Sequence, residues 1–221
     1  MADFYLDAPE VPILLLGDPG VGKSTFLSRL TLGPHPAPTA SITPLRSLDQ
    51  PHPFNIRLYN RPYRFSFSDT SSPTHYTLLH PSLIILCYSI AIPSSLASVQ
   101  GYWKEVVERH FGYDEMMPVV LLGLGRDVRQ KEDYDGKVRA MATEGALAGE
   151  EEDEEGLVPR TFVYPQEGLR VAQEMRCDMY CECSALTGEL CQEVFEDIAK
   201  RAARTTTQKG GKTEGTDCAV M

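Results

Sequence analysis

Apolar residues fall along this chain in two rhythms. Val11-Pro12-Ile13-Leu14-Leu15-Leu16 is an almost unbroken apolar run, and Leu83–Tyr88 and Val119–Gly123 are two more. Short runs of this kind suit parallel strands buried on both faces. Asn55–Tyr59 and Tyr63–Ser68 instead alternate apolar and polar residues around Asn60-Arg61-Pro62, which predicts a hairpin. Phe26, Leu27 and Leu30 follow the first run at helical spacing until Gly33-Pro34 stops them. A longer helix is predicted from a cap at Ser94 or Ser95 to about Phe111, with the stripe Leu96, Val99, Trp103, Val106, Val107 and His110. A helix near Gln166–Met175, a strand near Met179–Cys183 and a helix near Leu190–Arg204 complete the core. Residues 33–53 read as a long exposed loop, 124–165 as a charged irregular stretch and 205–217 as a flexible polar tail. Strands alternating with helices predict an α/β layer fold. Its six-stranded sheet is mainly parallel, with one antiparallel edge strand and helices on both faces.

The first run ends in Gly17-Asp18-Pro19-Gly20-Val21-Gly22-Lys23-Ser24, with Thr25 next in the helical pattern. A strand leading through G-x-x-x-x-G-K-S into a helix is the phosphate-cradling loop of nucleoside triphosphatases, so the fold expected is that of the P-loop NTPases. The glycines let successive backbone N–H groups converge on a phosphate, and the helix beginning near Lys23 adds its positive end. The Lys23 ammonium is expected at the β- and γ-phosphates and the Ser24 hydroxyl at Mg²⁺. The bland alternative is a Gly-rich turn with a chance lysine; the complete match in its expected context weighs against it.

Composition narrows the field. The 221 residues suit one domain plus a tail. A net charge of −10 argues against a nucleic-acid partner, which calls for a basic stripe. The start, Met1-Ala2-Asp3-Phe4, lacks the basic n-region of a secretion signal. The longest apolar stretch, about Leu83 to Ile92, falls short of the roughly 20 residues a membrane span needs. Six cysteines in such a chain read as reduced thiols. Cys177, Cys181 and Cys183 cluster without a second matching pair, so strand cysteines are favoured over a zinc site. Six acidic residues, Glu150 to Glu155, read as a solvated loop, with a basic partner as the minority reading.

Asp69-Thr70 follows the hairpin, Leu122-Gly123-Leu124-Gly125-Arg126-Asp127 ends the fifth strand, and Glu182-Cys183-Ser184-Ala185 ends the sixth. With these motifs the chain resembles the small GTPases, and the Rho family within them, from Val11 to Met221. The family carries D-T-A-G at the first position, N-K-x-D at the second and E-C-S-A at the third. Trp103 and the stretch at about 129–165, where Rho proteins carry an insert, add to the likeness. The resemblance implies a G domain over residues 1–204 and a tail over 205–221. It implies GTP and GDP as ligands with Mg²⁺, which Asp69 would hold through water. Asp127 would accept hydrogen bonds from the guanine base, and Ser184 and Ala185 would close its pocket. Exchange factors and effectors would engage loops 33–53 and 69–80.

The departures from the family bear on function. Leu124 replaces the bracing Asn, Gly125 the base-covering Lys, and Leu186 the Lys expected after E-C-S-A. An Asp contact is worth about 1.5–3 kcal/mol, so guanine binding should weaken without vanishing. Ser72 stands at the D-T-A-G glycine and Pro73 at the water-orienting Gln, while Pro19 occupies a phosphate-loop glycine position. All three point to slow hydrolysis, and no residue is assigned as catalytic. The first switch needs a Thr for Mg²⁺ and the γ-phosphate. Thr43, 19 residues after Ser24, is the candidate; Thr39 matches the local P-T pattern with larger gaps, and the minority reading takes both as plain loop residues.

The chain ends Cys218-Ala219-Val220-Met221, a C-a-a-X pattern whose Met favours farnesylation of Cys218. One lipid gives marginal binding, and Lys200, Arg201, Arg204, Lys209 and Lys212 offer a dilute second signal. The expectation is therefore reversible association with the cytoplasmic face of a membrane, with a cytosolic pool. The leading function is a Rho-like GTP/GDP switch with weak GTPase activity. Its rival is a non-hydrolysing pseudo-GTPase that serves as a lipid-anchored interaction module. A P-loop nucleotide kinase is disfavoured, because its lid wants arginines where this chain has acid.

Overall fold

The computed structural model describes residues 8–33, 41–58, 60–70, 79–112, 117–129 and 162–210, the side chains of 207–210 excepted. Six strands form one sheet: β1 (Glu10–Leu16), β2 (His52–Leu58), β3 (Arg61–Thr70), β4 (Leu83–Ser89), β5 (Val119–Leu124) and β6 (Met179–Cys183). Their order is β2-β3-β1-β4-β5-β6. Only the β2–β3 pair is antiparallel; every other pairing is parallel.

The unbroken apolar runs are explained by burial on both sides. Val11, Ile13 and Leu15 of β1 pack with Phe65, Phe67, Ile85 and Leu122 in one core, while Leu14 and Leu16 pack with Ile84, Leu86 and Leu121 in another. Fully burying such a side chain stabilises the fold by about 1.5–3 kcal/mol, so neither face can be left open. The first face is covered by α1 (Lys23–Leu30), through Phe26 and Leu27, and by the C-terminal helix Cys191–Gly210, through Val194, Phe195 and Ile198. The second is covered by a composite helix and by Pro165–Glu174, through Val171 and Ala172. The composite helix comprises α2 (Pro93–Ser98), a wider turn at Val99–Trp103 and α3 (Lys104–Phe111). In chain order Pro165–Glu174 is α4 and Cys191–Gly210 is α5.

Five expectations need correcting. The loop placed at 33–53 ends earlier, because β2 begins at His52, which is buried and opposite Phe67. The hairpin turns at Asn60, with φ 63°, and Arg61 and Pro62 already pair with Leu58 and Arg57. Neither Ser94 nor Ser95 caps the long helix: Ile92 is the cap residue and Pro93 opens the first turn, where a missing N–H costs nothing. The Ser95 hydroxyl instead donates to the Ile92 carbonyl at 2.6 Å and accepts from the Ser89 N–H at 2.9 Å. His110 is exposed in the last turn beside Arg109, at the helix end that favours cations. The C-terminal helix also runs beyond Arg204 to Gly210, with Thr205 buried and bonded to the Ala202 carbonyl at 2.8 Å.

β1 lies where the strand order reverses, with β3 on one side and β4 on the other. In open α/β sheets ligands settle outside the carboxyl ends of strands at such a point.

Candidate functional site

The carboxyl end of β1 crosses so close to β4 that a Cβ on Gly17 would stand 2.3 Å from the Cys87 carbonyl oxygen. Only glycine fits there. Gly22, with φ 107°, caps α1, and the first helical turn carries neither a capping side chain nor an acidic residue. The N–H groups at this helix end are therefore left for an anion. Lys23 is buried, and its ammonium donates to the Gly17 carbonyl at 2.7 Å and the Asp18 carbonyl at 2.8 Å. Burial pushes its pKa down, although Asp69 and Asp18 draw it back. Beside it the Ser24 hydroxyl donates to Asp69 Oδ2. Pro19, Gly20, Ser24 and Thr25 are exposed, and Val21 is buried.

Two contacts at this site were not expected from the sequence. The Trp103 indole N–H donates to Asp18 Oδ1 at 2.8 Å, tying the wide turn of the long helix to the phosphate loop. Gln50 bonds Asp69 through both its amide groups. Thr43, the candidate first-switch residue, lies exposed on the segment before the Ser47–Asp49 turn; Gln50 is the side chain from this segment that meets Asp69. Thr39, Ser72, Pro73, the acidic run 150–155 and Cys218 lie outside the described residues.

At the other end of the cleft, Asp127 is buried and accepts the Ser184 hydroxyl at 2.6 Å. Ser184 in turn accepts the Thr187 N–H at 3.2 Å, so Asp127 is held by a loop that is itself braced. Ala185 is buried beside it. Leu124 is buried, and its Cδ1 lies 3.6 Å from where a Cβ on Gly22 would stand. Leu124 at the end of β5 thus lies close beside the phosphate loop. Gly125, with φ 85°, faces open space, and Leu186 is 64% exposed. Beneath, Arg129 makes a bidentate pair with Glu182 at 2.6 and 2.8 Å and donates to the Val163 carbonyl at 2.8 and 2.6 Å. Burial alone would raise the Glu182 pKa, but hydrogen bonds from Arg129 and Tyr180 hold it below its ordinary value.

Cys87, Cys177, Cys181, Cys183 and Cys191 are free thiols, and among the described residues no three His, Cys, Asp or Glu side chains gather as a metal site. Burial raises the Cys177 pKa to about 11 and the Cys87 pKa to about 12, so both thiols stay protonated and inert at neutral pH. No described helix is long and apolar enough to cross a membrane.

A buried ammonium, free helix N–H groups and a hydroxyl beside a carboxylate suit a polyphosphate with Mg²⁺, a hard cation that takes oxygen ligands. Residues 12–204 match the model of the Ras family. The chain belongs to the Ras family. It is 28% identical to the Rho-related GTP-binding protein RhoF of Mus musculus, over 87% of this chain and 82% of that protein. It is also 28% identical to the GTP-binding protein RHO3 of Eremothecium gossypii, over 96% and 94%, and 26% identical to the GTP-binding protein RHO1 of Saccharomyces cerevisiae, over 90% and 87%. This Ras-family protein is thus a divergent small GTPase of Rho type, with the six-stranded fold expected.

Proposed function

We propose that this chain is a guanine-nucleotide switch that holds its ligand mainly by the phosphates, hydrolyses GTP slowly and works at a membrane surface. The observation that carries the reading is the pairing of two intact anchors. One is Lys23 turned onto its loop carbonyls beside Ser24 and Asp69; the other is Asp127 fixed by Ser184.

In this reading the backbone from Gly17 to Thr25 cradles the phosphates, and Lys23 neutralises them. Asp127 takes the base N1–H and exocyclic amine. Ser24 and Asp69, with Thr43 on the mobile side of the cycle, would hold Mg²⁺, which when bound offsets the phosphate charge. Slow hydrolysis rests on Ser72 and Pro73, which offer neither a flexible glycine nor a water-orienting amide. Membrane association rests on Cys218 in its C-a-a-X setting and on the basic residues from Lys200 to Lys212. Exchange factors and effectors would meet loops 33–53 and 69–80.

The rival, a non-hydrolysing interaction module, draws support from the base pocket, where Gly125 leaves one side open and Leu186 offers no charge. Titrating Mg²⁺-loaded protein with fluorescent GDP, GTP and ATP, then following a single turnover of GTP, separates the two. Guanine-selective binding that Lys23→Ala abolishes supports the switch, and the turnover rate reports its hydrolysis. No binding at millimolar nucleotide supports the module. Loss of membrane partitioning in Cys218→Ser tests the anchor, and a variant that stays on the membrane would refute it.

A further inference from the structure

Asp69 ends β3 with both carboxylate oxygens engaged from different parts of the chain. Its Oδ2 accepts from the Ser24 hydroxyl of α1. Its Oδ1 accepts from the side-chain Nε2 of Gln50, two residues ahead of β2. The same Gln50 amide closes a ring, because its Oε1 accepts the Asp69 backbone N–H at 3.2 Å. A carboxylate gripped on both oxygens and at its own N–H has one orientation. The residue type matters: the two ends of a primary amide let one side chain donate to the oxygen and accept from the N–H at once, and Asn would be one methylene short. The amide also adds no charge beside the carboxylate. Asp18, Lys23 and Ser24 supply the rest of the polar surroundings.

We propose that Gln50 is a positioning residue for the metal face of this site. It fixes the Asp69 carboxylate in the orientation that retains a divalent cation beside the phosphates, and so links the segment 41–50 to nucleotide retention. The inference rests on the nucleotide-binding reading above and assigns a role to a residue that no motif predicts. Any partner that draws Gln50 away from Asp69 would loosen the carboxylate in the same movement.

The test is the release rate of fluorescent GDP from the full chain as free Mg²⁺ is varied, for wild type, Gln50→Ala and Gln50→Glu, with release in excess EDTA as the metal-free reference. Losing a charge-assisted hydrogen bond should raise the Mg²⁺ concentration for half-maximal retention about tenfold in Gln50→Ala. Gln50→Glu sets acceptor against acceptor and should raise it further. Release in EDTA should match wild type in both variants, because the phosphate loop is untouched. An unchanged Mg²⁺ midpoint in both variants overturns the proposal, as does faster release that is equal with and without Mg²⁺, the mark of a general structural defect. Wild type is read first: if it binds GDP and responds to Mg²⁺, a silent Gln50 sinks this inference alone. If wild type binds no GDP, the underlying nucleotide reading falls and takes this one with it.

Discussion

The phosphate end and the base end of the cleft are both built on loops leaving the carboxyl ends of parallel strands, β1 on one side and β5 and β6 on the other. They have diverged to different extents. At the phosphate end the proposed recognition is carried by backbone N–H groups and one buried ammonium. Asp18 and Pro19 can therefore occupy the loop without emptying the cradle. At the base end the proposed recognition is carried by side chains, and two replacements offer none: Gly125 faces open space and Leu186 is exposed and uncharged. What survives there is what packing protects, namely Asp127 and Ser184, both buried and bonded to each other. Main-chain recognition tolerates sequence drift, whereas side-chain recognition persists only where it is also structural.

The largest effect that would sharpen this contrast comes from Lys23→Ala. It should weaken GDP, GTP and ATP alike by about a hundredfold or more, since each charge-assisted contact is worth about 1.5–3 kcal/mol and every nucleotide presents the same phosphates. Stability should not follow affinity. Burial holds the Lys23 pKa below its ordinary value. A cation with a lowered folded-state pKa destabilises the fold while charged, at neutral pH, and the penalty fades as pH rises past that value. The nucleotide-free melting temperature of Lys23→Ala should therefore equal or exceed that of wild type. A fall of the size seen for core truncations would break the comparison, because it would make Lys23 part of the scaffold.

Next comes Asp127→Ala. GDP and GTP should lose about ten- to a hundredfold in affinity, while ATP should hardly change, because adenine lacks the donors that Asp127 accepts. Equal losses for all three nucleotides would mean that Asp127 serves the fold more than the base.

Much of this was legible before any coordinates. The runs 11–16, 83–88 and 119–123 became β1, β4 and β5 because burial on both faces leaves no polar alternation to confuse the reading. G-x-x-x-x-G-K-S marked the turn from β1 into α1 because its glycines act through local backbone geometry. The contacts between distant segments were not legible. Trp103 had a place in the apolar stripe, and its packing is as expected, yet nothing nearby announces that its N–H reaches Asp18 across 85 residues. Gln50 sits in a polar stretch with no period, 19 residues from the carboxylate it holds. Arg129 lies two residues past Asp127, and its partner Glu182 is a motif residue on β6, more than fifty positions further along the chain. Such pairs are chosen by the tertiary fold, and no local pattern encodes them. Helix ends were missed for a related reason: Thr205 continues α5 because it is buried, although its polar neighbours suggest a tail.

A smaller change would narrow the gap between the two ends. Leu186→Lys places an ammonium where the chain now exposes an apolar side chain, at a position open enough to accept it. A cation over an aromatic face at a solvated site is worth about 0.5–1 kcal/mol, so GDP affinity should rise about two- to fivefold. The off-rate of fluorescent GDP measures it. No gain would mean that the base does not lie against this loop.

The smallest effect on affinity, and the most telling about architecture, concerns the floor of the base end. Hydrogen bonds from Arg129 and Tyr180 hold the Glu182 pKa below its ordinary value of 4.5 against the opposing effect of burial. A carboxylate with a depressed folded-state pKa contributes stability that is complete above the unfolded value and is lost as pH falls through the folded one. Glu182→Gln mimics the protonated side chain at every pH. Its melting temperature should lie below that of wild type at neutral pH, and the two should converge as the pH falls below about 4. GDP affinity at neutral pH should change little, because Glu182 supports the strand and leaves Asp127 with its Ser184 bond intact. A melting gap that stays constant into acid would show that the ion pair contributes by shape rather than charge. The base end would then rest on packing alone.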